Sequence, residues 1–365
     1  MATPASQAQA IRVLVVDDSA FMRLSISRAL NAAPGIQVVG SARDGEEALE
    51  QVRRLSPDVV TLDVEMPRLD GLGALRQIMA DRPCPVIMLS SLTTSGSFET
   101  VQSLMLGAVD FVSKPVNRAN VTAVMDELVK KIFCAAHANL PAPALDPARP
   151  APAEKRIGRA ISRQDRIVVI GSSTGGPRAL NTVIPALPAD LPAAVMVVQH
   201  MPAGFTHSLA ERLDGQSSLV VKEAEVGDRL EAGKVLLAPG GYHMTIDDSG
   251  TIALNQNPPV HGVRPAIDVT LASVVKQFAS AVVSVILTGM GNDGTNGCAL
   301  VHQAGGRVIA EDQSSCVVYG MPRSVAEAGI ADAIVPLPEI AGAIAHAAAG
   351  AHGQGSLNNR QTAAK

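Results

Sequence analysis

The sequence predicts an α/β chain in two parts. The first is a flavodoxin-like domain with a five-stranded parallel sheet in the order 2-1-3-4-5; the second is a doubly wound α/β domain. Three observations carry this. Before residue 138, five short β-branched runs alternate with amphipathic stretches, the pattern of a parallel sheet with crossover helices. From 138 to 153, ANLPAPALDPARPAPA has Pro or Ala at 11 of 16 positions, an extended and stiff segment with no face to bury. After it the β/α alternation resumes. The expected units are a first domain at 11–133, a linker at 134–165, a second domain at 166–349, and a polar tail at 350–365 read as disordered.

Taken in order, the strands of the first domain are IRVLVV, IQVVGS, VVTLDV, PVIMLS and DFVSKP, each followed by a helical pattern. Those of the second are RIVVIG, AAVMVVQ, KVLLAP, VVSVIL and RVIAED, interrupted by a turn-rich, strand-like stretch from about Val220 to Leu254. In sheets of this kind, ligands bind outside the carboxyl ends of the strands where the strand order reverses. Chemistry is therefore expected at strand ends.

Composition narrows the function. No apolar run reaches the roughly 18–20 residues that span a bilayer, so no direct membrane insertion is expected. Aromatic residues are 2% of the chain, too few for base-stacking platforms. The net charge of −4 is spread over both halves, without the basic excess that nucleic acid selects. Cys84, Cys134, Cys298 and Cys316 lack metal or redox spacing, and the first residues lack a signal-peptide pattern, so a cytoplasmic protein is expected.

Asp17 and Asp18 end the first strand and Asp63 ends the third, its neighbour in the predicted order. Three converging carboxylates repel unless a cation lies between them, and hard oxygen ligands suit Mg²⁺. Ser90 ends the fourth strand and Lys114 ends the fifth before Pro115, two donors able to converge on a phosphoryl group. Helix capping accounts for Asp70 before Gly71, but a Lys-Pro after the fifth strand gains nothing from it. DDS at 17–19, LDVEMPRLDG at 62–71, Ser90-Ser91 and SKP at 113–115 resemble the receiver domains of two-component response regulators. The resemblance implies Asp63 as phosphoacceptor, with Mg²⁺ held by Asp18, Asp63 and the Glu65 carbonyl, and by Asp17 through water. It further implies that Ser90 and Lys114 bind the phosphoryl oxygens and that Phe111 is the switch aromatic.

The second domain opens with a strand, then GSSTGG at 171–176, then a helical pattern. Gly171 to Gly175 satisfies G-x-S-x-G, a sharp turn that lifts Ser173 over a helix N-terminus, where backbone N–H groups can receive an oxyanion. A phosphate loop is the competing reading, but Pro177-Arg178 stands where the essential Lys-Ser/Thr belongs. Of the histidines, His200, His207, His243 and His261 remain as candidate bases; His200 is favoured because it follows AAVMVVQ at the sheet edge expected for Ser173. Asp293, in LTGMGNDGT, also follows a strand and can orient an imidazole. GMGNDG at 289–294 also reads G-x-G-x-x-G, yet Asp293 would repel a pyrophosphate there.

GSSTGG, VQHMPAGFT at 198–206 and LTGMGNDGT at 287–295 resemble the catalytic domain of the chemotaxis protein-glutamate methylesterases, the CheB type; RPAID at 264–268 and EDQSSCVVYGMP at 311–322 are further similar segments. The resemblance implies hydrolysis of glutamate methyl esters on the cytoplasmic domains of chemoreceptors, with deamidation of glutamines. Ser173 is then the nucleophile, His200 the base and Asp293 the orienter, with Thr174 and Met290 as backbone oxyanion donors. The chain order Ser, His, Asp differs from that of the α/β-hydrolases, so likeness to them is convergent. The implied phosphodonor is a chemotaxis histidine kinase, and the esterase reaction needs no cofactor. The competing function is a receiver whose second domain only binds a partner.

Overall fold

The computed structural model describes residues 10–91, 93–115, 121–140, 159–161 and 165–350. The first domain runs β1 (Ile11–Val16), α1 (Ala20–Ala32), β2 (Ile36–Ala42), α2 (Gly45–Leu55), β3 (Val59–Asp63), α3 (Gly71–Asp81), β4 (Val86–Ser90), α4 (Thr94–Leu106), β5 (Asp110–Ser113) and α5 (Val121–Ala135). Its sheet has the order β2-β1-β3-β4-β5, all parallel, as the alternation predicts. β3 and β4 are buried along their whole length because helices cover both faces, which is why these runs are apolar without alternation. Short polar side chains start the helices: Ser19, Asp44, Thr93 and Asp70 each accept an N–H of the first turn. Asp70 bonds Gly73 N at 2.7 Å and is a cap, as expected.

Register brings the acidic ends together. Val16 pairs with Leu62, so Asp17 and Asp63 stand side by side; Asp63 pairs with Leu89, one residue before Ser90; Ser90 pairs with Ser113, one before Lys114. Four groups from four strands thus share one sheet edge.

The second domain begins with β6 (Arg159–Ala160), β7 (Arg166–Ser172), α6 (Gly176–Val183), β8 (Ala193–Gln199), α7 (Phe205–Asp214), β9 (Val220–Glu223), β10 (Glu231–Ala232) and β11 (Lys234–Leu237). It continues with β12 (His243–Ile246), β13 (Ile252–Asn255), α8 (Ile267–Phe278), β14 (Val282–Ile286), α9 (Thr295–Gln303), β15 (Arg307–Glu311), α10 (Met321–Glu327), β16 (Ala333–Val335) and α11 (Leu337–Ala349). Seven strands form a parallel sheet ordered β16-β15-β14-β7-β8-β11-β9. The stretch read as strand-like from Val220 divides: β9 and β11 extend this sheet, and β12 with β13 forms an antiparallel hairpin. The order reverses between β7 and β14, which opens a crevice above their carboxyl ends.

The segment read as a linker is structured at both ends. α5 continues to Ala135 beyond the expected boundary at 133, and Arg159–Ala160 pairs with β10. Residues 141–158 and the tail from 351 lie outside the described residues.

The two domains are packed together. α4 lies on α6 and α7, and Phe111 of β5 meets Phe205 of α7 with ring centroids 4.5 Å apart. Both rings are buried, at 3% and 0% exposure, so one apolar cluster runs from the first sheet into the second. Asn139 N donates to Val317 O at 3.0 Å, and Ser97 Oγ lies 3.2 Å from Ser208 Oγ.

Candidate functional sites

At the first sheet edge, carboxylate oxygens of Asp17, Asp18 and Asp63 lie within 4.8 Å of one another. Lys114 Nζ stands 2.5 Å from Asp63 Oδ2 and 3.0 Å from Asp17 Oδ2. Burial pushes Asp63 up to about 6, against the pull of the Lys114 ammonium; Asp17 adds to the rise. Asp17 Oδ2 is buried beside this ammonium and accepts no hydrogen bond, so it has spare coordinating capacity. Three hard oxygens with open space beside Asp18 and Glu65 form a donor set that fits Mg²⁺. Ser90 is fully buried, and its hydroxyl is turned onto α4: it accepts from Thr100 Oγ1 at 2.6 Å and lies 3.3 Å from Gly96 O. Phe111 is turned inward, as part of the domain interface.

At the second sheet edge, Ser172 pairs with Gln199, which sets Ser173 beside His200 at the ends of β7 and β8. The turn after β7 is drawn against the loop after β14: Ser173 N donates to Thr288 O at 3.0 Å. A Cβ on Gly289 would lie 2.7 Å from Ser173 Cβ, so only glycine lets this loop close on the serine. His200 Nε2 is 2.7 Å from Asp293 Oδ2, and Asp293 is 1% exposed. Burial works to raise the Asp293 pKa, but the His200 ring and the N–H groups of Ile267 and Asp268 outweigh it and hold the carboxylate below its ordinary range. An ionised Asp293 requires the proton on Nε2, which leaves Nδ1 as the basic nitrogen.

Ser173, Thr174, His200, Met290 and Asp293 line one cleft of about 660 Å³. Of the other candidate histidines, His261 reaches its rim and pairs with Asp268 at 3.0 Å; His243 is buried against Pro258 O; His207 is exposed on α7 near Glu211. The cleft's far wall belongs to the first domain. Asp110 accepts a 2.5 Å hydrogen bond from Thr174 Oγ1, Lys131 Nζ holds Asp110 Oδ1 at 3.1 Å, and Cys134 Sγ touches Met290 Sδ at 3.1 Å. Asp110 and Gln199 were not singled out by sequence. The first opens an apolar strand run and the second closes one, and only the pairing of distant segments reveals their contacts.

Residues 13–126 match the response regulator receiver domain family, and residues 168–344 match the CheB methylesterase family. A protein-glutamate methylesterase/protein-glutamine glutaminase of Symbiobacterium thermophilum is 55% identical over 350 residues, covering 92% of this chain and 97% of its own. One from Thermotoga maritima is 47% identical over 339 residues, covering 90% and 96%. The crystal structure of the Thermotoga maritima CheB methylesterase catalytic domain is 49% identical and covers 50% of this chain and 98% of that one, with a TM-score of 0.49. With full-length relatives of that kind and both domain families matched, the chain belongs to the protein-glutamate methylesterase/protein-glutamine glutaminase family and carries a response regulator receiver domain in front of its esterase domain.

Proposed function

We propose that the enzyme hydrolyses glutamate methyl esters, and deamidates glutamines, on the cytoplasmic domains of chemoreceptors through Ser173, His200 and Asp293, and that phosphorylation of Asp63 releases this activity for chemosensory adaptation. The observation that carries the catalytic reading is the 2.7 Å His200–Asp293 contact beside Ser173 at the point where the strand order reverses. Ser173 Oγ attacks the ester carbonyl while His200 Nδ1 takes its proton. The resulting oxyanion is received by the N–H groups of Thr174 and Met290. Gly289 O already accepts from Gly320 N and Met321 N, so the planar peptide turns Met290 N–H the opposite way. Collapse expels methanol, protonated by His200, and leaves an acyl ester on Ser173. Water then attacks by the same route and frees the glutamate. A primary amide follows the same path with ammonia leaving, so one site serves both activities.

Regulation follows from the covered cleft. With Asp110 bonded to Thr174 and α4 packed on α6 and α7, the first domain walls one side of the cleft and narrows the approach of a receptor helix to Ser173. Phosphorylation of Asp63, by a chemotaxis histidine kinase in the cytoplasm, presents anionic oxygens to Lys114 and Ser90. Ser90 must leave Thr100 to reach them, which loosens α4 at the interface and gives Phe111 room to leave Phe205. Removing the latch alone should act the same way. Asp110→Asn is expected to raise basal methanol release roughly tenfold, since about 1.4 kcal/mol of lost closure shifts the open fraction by that factor when the closed form dominates. Steady-state rates without phosphodonor check this; an unchanged basal rate contradicts it.

Asp18, Asp63 and the Glu65 carbonyl, with Asp17 behind, would hold Mg²⁺, and the ion would supply charge neutralisation for the phosphoryl group. The residues themselves do the rest: Asp63 supplies the accepting oxygen and Lys114 holds the incoming anion. Mg²⁺ is expected to raise the melting temperature, by roughly 2.7 kcal/mol of stability at about 100 times its Kd. Asp18→Asn should lose most of that increment in a thermal scan, and an equal increment in both proteins contradicts the assignment.

The test of the whole reading is methanol release from methylated receptor fragments with and without a phosphodonor. Stimulation should disappear in Asp63→Asn.

A further inference from the structure

We propose that Gln199 is a positioning residue for acyl transfer: its carboxamide holds the Ser173–Thr174 peptide in the plane that aims Thr174 N–H at the developing oxyanion, and ties that turn to His200. The proposal rests on the assignment of Ser173 and His200 made above and adds a residue that touches neither substrate nor the reacting atoms.

Gln199 is the last residue of β8 and is 2% exposed, the one polar side chain in a run of seven buried residues. A carboxamide is buried at a cost unless its groups are paired, and here they are. Nε2 donates to Ser173 O at 3.0 Å and to His200 O at 3.1 Å, while Oε1 accepts from Ser172 Oγ at 2.6 Å. Exchanging oxygen and nitrogen would press Oε1 against two carbonyl oxygens, so the chemistry of the neighbours sets the orientation. One amide therefore bridges the backbone of the nucleophile and the backbone of the base.

The consequence lies on the other side of the peptide. Ser173 O also accepts from Gly176 N at 2.8 Å, so two donors fix the direction of this carbonyl. The peptide is planar and trans, and Thr174 N–H must point the opposite way. Without the Gln199 donor, the carbonyl keeps a single bond from within its own turn. The peptide can then rock, and an oxyanion donor displaced by a fraction of an ångström loses much of its effect on the transition state. The fold gives up side-chain space for the amide: a Cβ on Gly176 would lie 2.1 Å from Gln199 Oε1.

Gln199→Met keeps the length of the side chain and removes its donors and acceptor. Ser172→Ala removes only the hydroxyl that orients the amide, so a folded variant is at hand if Gln199→Met does not fold. Each is activated with phosphodonor and assayed on a methyl-esterified receptor fragment, and its affinity for a peptidyl boronic acid, which becomes tetrahedral on serine, is measured. In Gln199→Met, kcat is expected to fall about 10- to 100-fold with KM nearly unchanged. Boronate affinity should fall with it, because that ligand reads the oxyanion geometry. Ser172→Ala should show the same pattern at a smaller magnitude. Wild-type kcat in either folded variant overturns the proposal; so does a loss matched by the unfolded fraction, with boronate affinity per folded molecule intact. Ser173→Ala, run alongside, separates the two levels of argument. If it is inactive while Gln199→Met turns over normally, only the positioning role fails. If Ser173→Ala still turns over, the triad assignment fails and the positioning role falls with it.

Discussion

Ser173→Ala is expected to lower ester hydrolysis by about 10⁴- to 10⁶-fold, the largest effect of any single substitution in this chain. The loss falls on the covalent step. Without Oγ there is no acyl ester, and His200 can at best activate a water that must find a position the site was not shaped to hold. Ser173 is partly exposed at the cleft and its backbone N–H bonds Thr288 O, so the alanine should leave the fold intact and substrate binding close to wild type. Methanol release under phosphodonor activation, with receptor binding measured in parallel, checks both halves. Retained turnover would mean that another nucleophile does the work.

Asp293→Asn is expected to cost about 10⁴-fold in kcat, through the wrong imidazole tautomer. Asp293 Oδ2 accepts from His200 Nε2 and Ile267 N, and Oδ1 from Asp268 N and Gly294 N. An asparagine has one oxygen for these four donors. With its NH₂ toward His200, it also meets Ile267 N–H, and the ring must offer a lone pair on Nε2 and carry its proton on Nδ1, where it cannot act as a base. With its NH₂ the other way, it meets two backbone N–H groups, and a buried unpaired donor costs about 1–3 kcal/mol. The variant should therefore lose stability as well as activity. The native carboxylate titrates below 3.8, so its contribution to stability is complete above that pH and is lost as pH falls through the folded value. The stability gap between wild type and Asp293→Asn should accordingly narrow below pH 3.8. Thermal scans across pH read this directly, and a gap that stays constant into acid would mean the carboxylate is not held as described.

Both sites were legible in the sequence because each is written at the ends of strands. Asp63, Lys114, Ser173 and His200 follow apolar runs by at most one residue, and in a parallel sheet that offset alone places them on one edge. What the sequence left out lies between elements distant along the chain. Asp110 reads as the start of a strand, and its contact with Thr174 exists only because β5 faces the second sheet. Phe111 stood out only through the receiver resemblance, and its partner Phe205 sits in an ordinary amphipathic helix with nothing to mark it. The Pro/Ala run drew the linker too wide, since α5 ends at Ala135 and β6 is Arg159–Ala160, both inside the expected 134–165 and both of weak pattern there. Periodicity reports which face of an element is buried; it does not report what buries it.

A phosphoacceptor at one sheet edge coupled to a serine esterase at the other makes phosphorylation and ester hydrolysis readable in one assay. The most direct test is methanol release from a methylated receptor fragment by wild type, Ser173→Ala and Asp63→Asn, each with and without a small-molecule phosphodonor and Mg²⁺. Release by wild type should rise with phosphodonor, Asp63→Asn should keep a basal rate without stimulation, and Ser173→Ala should release none under either condition. Full stimulation of Asp63→Asn, or methanol release by Ser173→Ala, would contradict this coupling.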